Sequence, residues 1–247
     1  MRPWLEKLGP PSLEGLNRLA EAAGIRTASG RAVRFVPPGA ASAYYEVEVF
    51  ETGCVQTRPD NLHDLFNALA WLAFPATKAL INALHAEEIP REQGRRGRRR
   101  DLLTLLDEGG AIVQCDDPGL IDLMRNFRWK ELFWERRETV RRAMRIRILG
   151  HAILEQAMRP WPGITCKALV IPQGADPDAA ASAFLENLPR DATPRMLPPL
   201  PVFGYPGWLS ASERAGFYDD TRYFRPVRER RGKAEPVPPA LPRDGAR

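Results

Sequence analysis

The segment from Arg58 to Glu88, RPDNLHDLFNALAWLAFPATKALINALHAEE, tolerates very few backbone conformations. Leu62, Leu65, Phe66, Leu69 and Leu72 recur at the spacing of one helical face, and Leu80, Ile81 and Leu84 do the same further on. Pro75 stands between the two sets. It has no amide hydrogen and its ring clashes with the preceding turn, so one continuous helix through it is disfavoured. The pattern predicts a helical hairpin hinged at Phe74-Pro75.

The polar positions of this hairpin are its unusual part. His63 and Asn67 stack on a second stripe with Asp64 and Trp71 beside them, and Lys78, Asn82 and His85 follow at i, i+4 and i+7. Folding at Pro75 would bring the two stripes into one cleft. A His beside a carboxylate can act as general base or metal ligand. A lysine can neutralise an anion, and asparagines can orient a substrate or a ligating His. Asp107 and Glu108 add two more carboxylates. The candidate catalytic set is therefore His63, Asp64, Asn67, Lys78, Asn82, His85, Asp107 and Glu108, with His63, Asp64 and His85 as candidate ligands of a divalent metal. No H-E-x-x-H and no second His four residues from His63 supports a known metal spacing. The competing reading is that these side chains simply face water. His151, after Gly150, reads as a packed histidine in mid-helix.

The charge pattern offers a second function class. The net charge is +5, but segment 91–100 alone carries six Arg and one Glu, and segment 222–247 carries eight basic and three acidic residues. The rest of the chain holds 22 basic against 27 acidic residues, so its body is mildly acidic. Basic pI alone is thus a weak argument for nucleic acid. A non-catalytic nucleic-acid binder would use Arg95, Arg96, Arg98, Arg99 and Arg100 with Arg137, Arg141 and Arg145, the last three placed on one helical stripe. A solvated helix face paired with Glu135 and Glu138 is the alternative. A third reading is a structural or assembly partner without a small ligand. Three widely spaced cysteines, Cys54, Cys115 and Cys166, argue against a disulfide framework or zinc knuckle and read as small buried residues. No P-loop, dinucleotide fingerprint or nucleophile elbow occurs. With neither a signal-peptide core nor an uncharged apolar run of membrane-spanning length, a cytoplasmic protein without membrane contact is expected.

Along the chain, 12–23 reads as a helix capped by Ser12, and 32–36 and 44–50 as strands. Asp107-Glu108-Gly109-Gly110 reads as a β-hairpin turn. Asp117-Pro118 opens a helix, and 129–158 looks helical almost throughout with a break near Gly150. A buried strand at 167–172, a helix at 176–188 and Pro-rich and aromatic segments follow. Phe127, Phe133 and Trp134 are expected in the core. These elements predict one predominantly helical α+β domain over 1–226 with a small mixed or antiparallel sheet, and a disordered Pro- and Arg-rich tail over 227–247.

Several stretches together carry a resemblance. FETGCVQTRPDNLHDLFNALAWLAFPATKALINALH, RRRDLLTLLDEGGAIV, FRWKELFWERR, GHAILEQAM, GITCKALVIP and FYDDTRYFRP, in this order over roughly 30–226, closely resemble the bacterial domain-of-unknown-function 3025 family. Leu62 departs from its pattern, where Trp commonly precedes the His-Asp pair. The resemblance implies a soluble bacterial protein and one coherent domain. It assigns no activity or ligand. The residues themselves favour a hydrolase-like enzyme for an anionic or phosphate-bearing substrate.

Overall fold

A computed structural model describes residues 2–39, 44–92 and 96–227. Two helices, α1 (Arg2–Leu8) and α2 (Leu13–Ala22), open the chain, and Ser12 caps α2 by accepting from the Gly15 amide. Asn17 of α2 donates to the Phe35 carbonyl at 2.8 Å and accepts its amide at 2.7 Å, which fastens the helix to β1 (Arg34–Val36).

The expected strand at 44–50 is instead a helix, α3 (Tyr45–Thr52). Its β-branched and aromatic residues suit a strand, but tertiary contacts override that preference. Tyr45, Glu46 and Val49 turn to one side at helical spacing, and the Asn82 amide donates to the Glu46 carbonyl at 2.8 Å. Gly53 closes the helix at φ +77° and sends the chain into β2 (Cys54–Gln56), parallel to β1.

The hinge is where the sequence places it. α4 (Leu62–Ala73) and α5 (Pro75–Glu88) meet at Phe74, with Asn61 capping α4 and Pro75 in the first turn of α5. The Asp178 carboxylate accepts the Ala76 and Thr77 amides at 2.9 and 2.8 Å, capping α5 from far along the chain.

No hairpin forms at Asp107-Glu108-Gly109-Gly110. α6 (Arg98–Gly109) runs through it and passes directly into β3 (Gly110–Cys115). α7 (Pro118–Arg125) starts on its Asp117 cap as expected. The expected long helical stretch is broken up. It holds a π-helical turn (Glu131–Glu135), α8 (Arg137–Ala143), a strand β4 (Met144–Ile148) and α9 (His151–Ala157), with the anticipated break at Gly150. β5 (Thr165–Ile171), α10 (Pro177–Glu186) and β6 (Pro199–Pro201) complete the core elements.

The main sheet has the order β4-β3-β5-β6, pairing antiparallel, parallel and antiparallel, so it is mixed. β3 is buried at every position, as a central strand covered on both faces must be. One face packs on Met124, Trp129 and Phe133; Phe133 is in the core as expected, whereas Phe127 and Trp134 are only partly buried at its margin. The other packs on Leu102 and Leu106 of α6, Ile81 of α5 and Leu185 of α10. A third apolar cluster joins α4 to α2 and the β1–β2 pair through Leu69, Trp71, Leu16, Phe35 and Val55. Helix at 55% against strand at 13% makes this the helix-dominated α+β fold the sequence predicts. Cys115 and Cys166 are buried, Cys54 is half-buried, and all three thiols are free. Among the described residues no helix is long and apolar enough to cross a membrane. The expected tail lies outside the described residues from 228 onward.

Candidate active site

The hairpin's two polar stripes do face each other. They form, with α3, the end of α6 and the start of α9, a pocket of about 470 Å³. His63, Asp64, Asn67, Lys78, Asn82, Asp107 and Glu108 all line it, so seven of the eight candidate residues share one cavity. His85 does not. It is 3% exposed, and its Nδ1 accepts a hydrogen bond from Arg100 Nε at 3.2 Å. The expected role of a second base or ligand in the cleft is therefore corrected: burial, with Arg100, Arg96 and Lys78 adding to it against Asp107, pushes its pKa down to about 4.

Lys78 is the centre of the wall. Although only 4% exposed, it places Nζ 2.5 Å from Asp107 Oδ1, 2.8 Å from Asn67 Oδ1 and 5.6 Å from the centroid of the Trp71 ring. Asp107 lies in the last turn of α6, where the helix dipole opposes a carboxylate. Burial opposes it too, yet Lys78, through its charge and its hydrogen bond, outweighs burial and holds Asp107 below its usual range.

His151 is the residue that sequence reasoning missed. It is the first residue of α9, not a mid-helix residue, and it is 4% exposed on the pocket wall. Its Nε2 lies 3.1 Å from His63 Nε2, and His63 Nδ1 lies 2.9 Å from Glu155 Oε2. Its Nδ1 is buried, points toward Asp107 with Oδ2 at 3.9 Å, and makes no hydrogen bond. One neutral arrangement satisfies all of this. His63 donates from Nδ1 to Glu155 and accepts at Nε2 from His151, leaving a bare lone pair on His151 Nδ1. Burial pushes His151 down to about 4, helped by Lys78 against Asp107, which keeps this ring neutral. The result is a file of titratable groups running from half-exposed Glu155 to half-buried Asp107 and buried Lys78. The only sequence signal for it was the pairing of a glycine with the histidine that follows.

Gly150 sets this geometry. A Cβ there would lie 2.5 Å from the Glu108 carbonyl oxygen and 2.6 Å from both the Glu108 carbonyl carbon and the Gly109 nitrogen. The close approach brings the start of α9 against the end of α6, and so His151 against Asp107. Gly150→Ala is expected to cost about 1–3 kcal/mol through this backbone overlap. Thermal denaturation checks it, and an unchanged melting temperature would show that the junction yields freely.

α3, where the sequence suggests a strand, supplies two further wall residues. Tyr45 is 37% exposed overall, but its hydroxyl is buried beside Asn67, and burial raises its pKa, with Glu46 and Asp107 adding to the effect. Glu46 is likewise raised by burial and then by Asp107, while Asn82 Nδ2 donates to its Oε2 at 2.6 Å. Asn82 Oδ1 is buried without a donor.

The candidate metal ligands do not converge. Asp64 is held by Arg58 through a bidentate pair at 2.8 and 2.9 Å, His63 by Glu155 and His151, and His85 by Arg100. Among the described residues no group of three or more His, Cys, Asp or Glu side chains is placed to hold a metal ion.

The arginines of the nucleic-acid alternative are mostly engaged in the protein. Arg99 is buried against Glu88 at 2.7 Å and the Leu188 carbonyl. Arg100 pairs with Glu92 at 2.5 Å, Arg96 with Asp101 at 3.8 Å, and Arg137 and Arg141 share Glu213. Arg145 is on β4 rather than on a helical stripe with those two, and it donates to the Arg141 and Met144 carbonyls. Arg98 is exposed, and Arg95 lies outside the described residues.

A family model described as protein of unknown function (DUF3025) matches residues 33–228. No curated protein and no solved structure matches the chain.

Proposed function

The chain belongs to the DUF3025 family, whose description carries no activity, and we propose from the site itself that the protein is an enzyme performing general acid–base chemistry, hydrolase-like, on a small polar substrate. The direct contact between His151 and His63 carries this reading. Two imidazoles joined nitrogen to nitrogen share one proton. Backed by Glu155 at one end and open to Asp107 at the other, they move that proton between solvent and the pocket without either ring holding a lasting charge. Hydrolysis asks least of such a wall: a base for water, and donors for the oxygen that gains charge. The Tyr45 hydroxyl and the Lys78 ammonium are the donors this wall offers for that oxygen.

The substrate charge anticipated from the sequence changes. The pocket wall carries Glu46, Asp64, Asp107 and Glu108 against Arg58 and Lys78 only, and both cations are paired with wall carboxylates. An anion or phosphate would meet repulsion there, so a neutral substrate fits better. The test is untargeted mass spectrometry of a small-metabolite extract incubated with wild type and with His151→Gln. Compounds consumed by wild type are expected to be spared by the variant, whose rate falls about 100-fold. If wild type consumes nothing, or the variant consumes the same compounds at the same rate, the enzyme reading fails.

A further inference from the structure

We propose that Lys78 is a covalent nucleophile that forms an imine with a small neutral aldehyde or ketone held in this pocket. This rests on the acid–base reading above and adds the reacting atom and the substrate class. An ammonium has three N–H donors. Lys78 spends two on Asp107 Oδ1 and Asn67 Oδ1, which leaves one N–H without a hydrogen-bond acceptor on a residue that lines the pocket. A lysine–aspartate pair kept only for stability gains nothing from an adjoining cavity, and an apolar pair would serve the fold as well. Nor does a structural pair need a file of two imidazoles leading to solvent.

That file does what a nucleophilic lysine requires. The amine attacks only after it loses a proton. Asp107 takes that proton from Nζ and passes it to His151 Nδ1, which is bare. Their separation of 3.9 Å is about 1 Å beyond hydrogen-bond distance and closes by a small turn of the imidazole. His151 then releases a proton from Nε2 to His63, so it changes tautomer instead of holding a charge. The Lys78 lone pair adds to the carbonyl carbon, the carbonyl oxygen takes a proton, and the carbinolamine loses water to leave the C=N bond. Amine plus carbonyl gives imine plus water, with no oxidant or reductant. The same relay serves the water that later hydrolyses the imine. A neutral carbonyl also suits a wall whose carboxylates outnumber its cations, with the Tyr45 hydroxyl as donor to its oxygen.

The full chain has only five lysines, so the test is clean. Protein is incubated with propanal and sodium cyanoborohydride, and reduced adducts are mapped by peptide mass spectrometry. Exposure alone favours Lys7 and Lys130 over Lys78. The expected result is about tenfold more adduct at Lys78 than at either of these. In His151→Gln, checked for folding by circular dichroism, labelling at Lys78 falls about tenfold while labelling at Lys7 and Lys130 stays the same. Adducts that follow exposure and spare Lys78 in wild type overturn the imine, and need no variant to do so. Because turnover of metabolites is read separately, an unlabelled Lys78 in a protein that still consumes substrate through His151 removes the imine and leaves the acid–base reading standing.

Discussion

Acidification from pH 6.5 to pH 4 is expected to remove roughly 5 kcal/mol of stability, enough to unfold a typical domain. His85 and His151 both sit neutral in the interior, with pKa values pushed from 6.5 down to about 4. In that interval the unfolded chain protonates both rings and the folded chain resists, so the unfolded state binds more protons and stability falls with pH. A shift of this size corresponds to about 3 kcal/mol per ring. Glu46 works against the trend. Its raised pKa makes the folded state the better proton binder above 4.5, so its contribution is present at low pH and lost as pH rises. Asp107, held low, adds a further loss below its unfolded value of 3.8. Urea denaturation at pH 7.5, 6, 5 and 4 reads the slope, and His85→Gln is expected to remove about half of it. A stability that stays level from pH 6.5 to 4.5 would mean that the rings accept protons in place.

The hairpin was readable because its information is local. Period, proline and cap all sit within 58–88, and each agrees with the others. The convergence of His63, Asn67, Lys78 and Asn82 followed from that geometry. What the sequence hid depends on partners far away. Glu46 and Tyr45 reach the pocket only because α3 is helical, and a partner that holds its first turn, Asn82, lies 36 residues on. The Asp107 turn was misread because Gly109-Gly110 serves a hairpin and a helix-to-strand junction equally well. MRIRI at 144–148 alternates strictly, Met144 and Ile146 inward and Arg145 and Arg147 outward. The four-residue spacing of Arg137, Arg141 and Arg145 nevertheless drew a helix over it, and only pairing with β3 decides between the two periods. His151 was lost with that strand, since its approach to His63 spans 88 residues.

Replacing Asp107 by alanine is expected to cost about 3–5 kcal/mol, the largest effect of any single substitution in the pocket. The cost arises less from the lost attraction than from the partner left behind. Lys78 would keep a 4% exposed ammonium with Asn67 as its remaining acceptor. Adding Lys78→Met removes that stranded charge, so the double variant should recover most of the loss, and the cycle should return a coupling energy of about 2–3 kcal/mol. Asp64→Ala is the control. Its partner Arg58 is already in water, so its guanidinium is merely released to solvent and the effect should be much smaller. Urea denaturation at pH 7.5 of the four proteins of the cycle and of the Asp64→Ala control decides the matter. A loss below about 1 kcal/mol for Asp107→Ala would mean that water entering through the pocket solvates Lys78. In that case the lysine is wetter than its burial implies, and the relay through His151 is no longer its only route for a proton.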